Sequence, residues 1–180
     1  GFLAPKKHLK AVDLVSFDLK EGQSLGVVGE SGCGKSTLAF MLSGLLKPTK
    51  GEIFYQGQSI QNMTSQAYKQ FQKDVQFIFQ DPQAALNPRL TVFECIKEPL
   101  TLYEQNCSFD DSRERVVALL EEVGLSADML NRYPFSLSGG QCQRVGIARA
   151  LICKPKVLIC DEIVSALDVS VQAQVLALLE

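Results

Sequence analysis

No run of about 18 consecutive apolar residues occurs in this 180-residue chain, so no membrane-spanning helix is written into it. The opening Gly-Phe-Leu-Ala-Pro-Lys-Lys has no apolar stretch of the secretory-leader type. It also lacks an initiator Met, so part of the start is expected to be missing. Basic excess is absent: 18 Lys and Arg against 20 Asp and Glu leave a net charge of −2. Duplex-binding domains ordinarily carry a basic bias, which argues against nucleic acid as a partner. The six cysteines (Cys33, Cys95, Cys107, Cys142, Cys153, Cys160) form no C-x-x-C pair. That weighs against a zinc or thiol-redox centre and suits a reducing compartment. There is no internal repeat and no low-complexity segment.

What is present fits one globular domain. The apolar fraction is 46% and the charged fraction 21%, and a chain of this length buries roughly two-thirds of its unfolded surface. Residues 12–20 and 24–28 look like two antiparallel strands joined by the Lys20-Glu21-Gly22 turn. A helix is expected from Lys35 to about Leu46, stopped by Lys47-Pro48. Residues 52–55 read as a strand followed by a Gln56-Gly57 turn, and residues 75–79 as another strand. From Asp81 to about Pro134 the patterns are helical. Val116, Val117, Leu119, Leu120 and Val123 give residues 110–123 an apolar face, and Gly124 ends it. A strand returns at Val157–Cys160, and residues 169–179 form an amphipathic pattern. The expected fold class is α/β: a core at 1–80 and 135–180 with a helical insertion at about 81–134.

Gly29-Glu30-Ser31-Gly32-Cys33-Gly34-Lys35-Ser36 matches G-x-x-x-x-G-K-[ST], and Thr37 continues it. Glycines admit backbone conformations that a Cβ forbids, so that successive N–H groups can form an anion nest. The helix behind the loop turns its positive end to the same point. Lys35 would reach the β- and γ-phosphates of ATP, and the Ser36 hydroxyl would bind Mg²⁺. An apolar strand before the loop and a helix after it supply the required context. The second half of such a site is an apolar strand ending in acid. Val157-Leu158-Ile159-Cys160-Asp161-Glu162 provides it: Asp161 for Mg²⁺, Glu162 to accept a proton from an attacking water.

Leu137-Ser138-Gly139-Gly140-Gln141 narrows the class. It resembles the signature motif of ABC-type ATPases, and the following Gln143-Arg144-Val145-Gly146-Ile147-Ala148-Arg149-Ala150-Leu151 resembles the family's signature helix. The resemblance implies that Ser138 and the two glycines serve the ATP of a second ABC ATPase subunit, packed head to tail. Gln80, at a strand end, matches the family's glutamine loop, which contacts Mg²⁺ and the attacking water. Ser165-Ala166-Leu167-Asp168 matches its D-loop at the dimer interface. Gln80-Asp81-Pro82-Gln83-Ala84-Ala85-Leu86-Asn87-Pro88-Arg89 looks like ATPases of oligopeptide, dipeptide and nickel importers. Such subunits sit peripherally on the cytoplasmic face of the cell membrane. They drive integral membrane permeases fed by a solute-binding protein.

The family's switch histidine falls beyond Glu180, and His8 is the single histidine. The chain is therefore expected to be a fragment that binds ATP better than it hydrolyses it. Ile163 stands where the family mostly has Pro. Two other readings compete: a soluble ABC ATPase without a membrane partner, and a nucleotide-binding fragment without turnover.

Overall fold

Helical periodicity decides where this chain excludes water. In the computed structural model, which describes residues 9–104 and 106–161, helix α5 (Phe109–Glu122) turns Ser112, Val116 and Leu120 inward at four-residue spacing. The Ser108 hydroxyl accepts from the Asp111 N–H at 3.1 Å and caps its start. Gly124 follows its end, as the sequence implies.

Helix α4 (Val92–Tyr103) begins with a reciprocal cap. Thr91 Oγ1 accepts from the Glu94 N–H, and the Glu94 carboxylate accepts from the Thr91 N–H. These bonds hold the Glu94 carboxyl below the ordinary glutamate range, with the Thr91 backbone as the main cause. Helix α6 (Gly139–Leu151) packs with α4 and α5 around one core. Val92, Ile96, Val116, Leu120, Val145 and Ile147 are fully shielded there. Each such side chain stabilises by about 1.5–3 kcal/mol relative to exposure.

Two strands carry that core toward the functional end. β3 (Val75–Ile78) runs straight on from helix α2 (Ser65–Asp74) and pairs in parallel with β4 (Val157–Cys160), Val75 opposite Val157 and Ile78 opposite Cys160. Asp74 anchors the start of the pair. Its buried carboxylate accepts from the Tyr55 hydroxyl and the Gln70 amide, each at 2.8 Å, and faces Lys156 Nζ at 3.3 Å. Burial alone would raise this carboxyl, but the three donors outweigh it and hold it low. Tyr55 belongs to a hairpin of β1 (Phe54–Tyr55) and β2 (Gln58–Ser59), turned by Gln56 and Gly57 at φ 50° and 78°.

Helix α1 (Lys35–Leu42) lies on β3 through a ring contact of 5.4 Å between Phe40 and Phe77. Its end docks on α2, where the Tyr68 hydroxyl donates to the Gly44 carbonyl at 3.1 Å. A side chain at Gly44 would collide with Tyr68 and Phe71. Helix α3 is the short Pro82–Ala85, capped by the Asp81 carboxylate.

Three expectations need correction. The antiparallel pair expected at 12–20 and 24–28 keeps its turn, with the Gln23 N–H donating to the Lys20 carbonyl at 3.1 Å, but forms no ladder among the described residues. Leu14 sits at φ 52°, which breaks the extended run of the first arm. Both arms are exposed, Val28 to 96%. Alternation and turn chemistry are local, whereas a strand exists only where another backbone lies opposite. Helix α1 stops at Leu42 rather than near Leu46, because Gly44 at φ 76° reverses the chain before Pro48 is reached. The strand expected at 52–55 shortens to Phe54–Tyr55. The helical pattern at 169–179 lies outside the described residues.

Candidate functional site

The segment 29–34 curls between an extended arm and the start of α1. Cys33 N–H donates to the Glu30 carbonyl at 3.3 Å, closing a turn, and Gly32 and Gly34 both take positive φ. Gly34 is the N-cap of α1 at φ 102°, and a Cβ there would strike the Ala11 carbonyl. Only glycine meets both demands.

Lys35 opens the helix and folds back over its own loop. Its Nζ donates to the Gly29 carbonyl at 2.8 Å and the Glu30 carbonyl at 2.9 Å. Its third N–H faces Cys33 Sγ at 3.9 Å, a weak acceptor that a phosphate oxygen can displace. The first turn of α1 contains no acid, and no side chain caps it. The amides of Lys35, Ser36 and Thr37 thus add to a positive helix end. A half-buried cation, uncapped amides and glycines at 29 and 34 with no room for a side chain fit a phosphate group.

The parallel register brings two further residues together. Gln80 leaves β3 and Asp161 leaves β4 at the same end of the pair, and the Asp161 N–H donates to the Ile78 carbonyl at 3.1 Å. Gln80 is exposed and Asp161 half-buried. Phe77 touches both Phe40 of α1 and Phe79, with ring centroids 5.4 and 4.5 Å apart. This aromatic chain ties the helix behind the phosphate loop to the strand that carries Gln80. Ser36 and Asp161 share no hydrogen bond.

Leu137, Ser138, Gly139, Gly140 and Gln141 form a separate locus at the start of α6. Leu137 is buried as an anchor, whereas Ser138 and Gly139 are exposed. Ser138 accepts from the Gln141 N–H at 3.2 Å, and the Gln141 side chain accepts from the Ser138 N–H at 3.0 Å. Among the described residues these side chains do not meet the loop at 29–37: Ser138 bonds only within its helix. Glu162, Ser165 and Asp168 lie outside the described residues.

Sequence reasoning passed over one charged cluster. Glu104, after α4, accepts from Lys73 of α2 at 3.0 Å and from Arg115 of α5 at 2.6 Å, and Arg115 also donates to the Ile152 carbonyl at 2.6 Å. Arg115 holds the Glu104 carboxyl below the ordinary range, with Lys73 assisting. No sequence pattern links positions 73, 104 and 115, since folding alone makes them neighbours.

Among the described residues, no helix is long and apolar enough to cross a membrane. Comparison with known proteins agrees with this geometry. The oligopeptide transport ATP-binding protein OppF of Salmonella typhimurium is 55% identical over 99% of this chain, and 54% of that protein is covered. The dipeptide transport ATP-binding protein DppF of Escherichia coli is 48% identical over 99% of the chain, again covering about half (53%) of the relative. The chain thus spans about half the length of the curated relatives it matches. Among solved structures, the ATP-binding cassette MJ0796, in a dimeric post-hydrolysis state bound to ADP and Pi, superposes with a TM-score of 0.87 at 33% identity. That match covers 94% of this chain and 73% of the other, and identifies the fold as the mixed α/β fold of P-loop ATPases. The ABC transporter family profile matches residues 12–165, and the chain belongs to that family.

Proposed function

We propose that this chain is the ATP-binding and ATP-hydrolysing part of a subunit that powers an importer of peptides, nickel or similar small solutes. The observation that carries this reading is the loop at 29–37: Lys35 caged by two loop carbonyls, beside a helix start with neither acid nor cap. Similarity to oligopeptide and dipeptide transport ATP-binding proteins supports the transport assignment.

In this reading Lys35 exchanges its two carbonyl partners for β- and γ-phosphate oxygens of ATP, and the N–H groups of residues 30–37 line the same phosphates. The Ser36 hydroxyl, Gln80 and Asp161 hold Mg²⁺. When bound, Mg²⁺ would offset the negative charge that develops on the transferring phosphoryl group. Glu162, assigned from the sequence alone, orients a water for in-line attack and takes its proton. Most of the rate comes from positioning and charge stabilisation.

Ser138, Gly139, Gly140 and Gln141 serve the nucleotide of a second ABC ATPase subunit, with Asp168 at the shared interface. The helical insertion at about 81–134 moves against the core at 1–80 and 135–180 and pulls on an integral membrane permease. A solute-binding protein supplies the cargo, and the subunit sits on the cytoplasmic face of the membrane.

The test is Mg-ATP turnover of the full-length protein beside its Lys35→Ala variant. Turnover in the parent and ATP binding weakened about 10–100-fold in Lys35→Ala support the assignment. A parent that binds no ATP, or a Lys35→Ala variant that binds it normally, refutes it.

A further inference from the structure

Buried polar side-chain atoms nearly always have a hydrogen-bond partner. Among the described residues Gln143 departs from that rule: its Nε2 and Oε1 are both buried and unpaired, and the residue is 1% exposed. The other buried polar side chains are satisfied. Asp74 has three partners, Ser59 donates to Gln61, and Ser112 donates to the Phe109 carbonyl. An unmet buried amide costs stability, and an apolar side chain of similar length would remove that cost.

The place of Gln143 on α6 follows from its neighbours. Arg149 donates to Glu98 of α4, the Cys142 thiol faces the Pro134 carbonyl, and Arg144 reaches the Gly124 carbonyl beyond α5. At about 100° per residue, Cys142 and Arg149 share one side of α6, turned to the 134–136 turn and to α4, and Arg144 marks the far side, turned to the end of α5. Gln143 falls in one of the two arcs between them, with Gly139, Gly146 and Ala150. Besides α4 and α5, α6 packs most closely against α3 and β3. Between those two elements lies the segment that contains Gln80. The last carbonyls of α3, a four-residue helix, have no donors within it. A Cβ at Gly139 or Gly146 would meet no atom within 4 Å, so that side of α6 has room for the backbone to come closer.

We infer that Gln143 is a positioning residue, its amide held ready for the backbone of residues 79–86; this rests on the ATPase reading above. When α6 is drawn toward the second subunit's nucleotide through Ser138, it shifts against α3. The Gln143 amide then donates to a carbonyl of that segment and accepts from one of its N–H groups. Gln80 and the start of α6 thereby move as one unit.

The experiment compares full-length protein with its Gln143→Met and Gln143→Leu variants, by thermal melting without nucleotide and by steady-state ATP turnover. The expected result is a melting temperature unchanged or higher by roughly 2 °C. With it, kcat falls about tenfold while KM for ATP stays within about twofold. Unchanged turnover, or turnover lost together with a lower melting temperature in both variants, overturns the inference. The amide would then be satisfied by internal water or needed only for packing. Lys35→Ala, measured alongside, separates the failures. If Lys35→Ala weakens ATP binding about 10–100-fold while Gln143→Met turns over normally, only the inference about Gln143 falls.

Discussion

From residue 9 to residue 58 not one side chain is buried, whereas α4, α5 and α6 between them enclose the larger core. The helical region is held by water exclusion, with caps that close its helix ends. The loop at 29–37 is held by short-range bonds: Lys35 to two carbonyls, a turn at Cys33, the Phe40–Phe77 ring contact that ties α1 to β3 and the Tyr68–Gly44 hydrogen bond that ties its end to α2. Segments with few buried contacts sit at the low end of local stability, where ligand-binding loops are commonly found. Rigidity and chemistry are thus placed in different parts of one chain. The packed helices can move as a body, while the loop has donors left over for a ligand.

The largest expected break in this comparison is a cavity in the helical core. Leu120 is fully shielded, and Leu120→Ala should lower the stability of the full-length protein by about 3 kcal/mol in urea unfolding. Val28→Ala in the exposed arm should cost less than about 0.5 kcal/mol. A cost for Val28→Ala equal to that for Leu120→Ala would show that the arm is packed in the whole protein, and the contrast would fail.

Lys35→Ala reverses the pattern. ATP affinity by calorimetry should fall about 10–100-fold, in keeping with about 1.5–3 kcal/mol for a charge-assisted bond. The melting temperature should hardly change. A large loss of stability would mean that the caged ammonium supports the loop more than the ligand.

Ser138 joins the two regions, as an exposed cap on a buried helix. Ser138→Ala should cost about 1 kcal/mol of stability. It should also lower turnover without changing ATP affinity of the isolated subunit, because the chain does not bring Ser138 to its own loop.

The smallest effect is at Glu104. Its folded carboxyl is held low by Arg115 and Lys73, so its contribution is complete above the ordinary glutamate value and fades as pH falls through the lowered one. Unfolding midpoints of the parent should therefore drop below the ordinary value of 4.5 more steeply than those of Glu104→Gln. The difference near neutral pH should be about 0.5–1 kcal/mol. Equal slopes would remove the network from the account of how α2 is tied to α4 and α5.

Much of this was legible in the residues. α5 was readable within one residue of each end, because a cap, an apolar period and a glycine are all local signals. β4 was readable without error, since Pro155, four apolar residues and an acid bound it on both sides. The arms at 12–20 and 24–28 misled, because alternation says that a segment can pair and not that a partner is there. The end of α1 was placed too late: proline is the louder stop signal, but Gly44 acts first because Tyr68 needs the space beside it.

The sequence by itself determined the glycine loop at 29–34, the helix behind it, the acid-ending strand and the capped start of α6, since each depends on residues a few positions apart. Tertiary structure alone decided that Gln80 and Asp161 leave the sheet at the same end, because that follows from the parallel register of strands about 80 residues apart. It also decided that Glu104 gathers Lys73 and Arg115, and that the amide of Gln143 is buried without a partner. Those are properties of which surfaces meet, and no short stretch of chain contains that information.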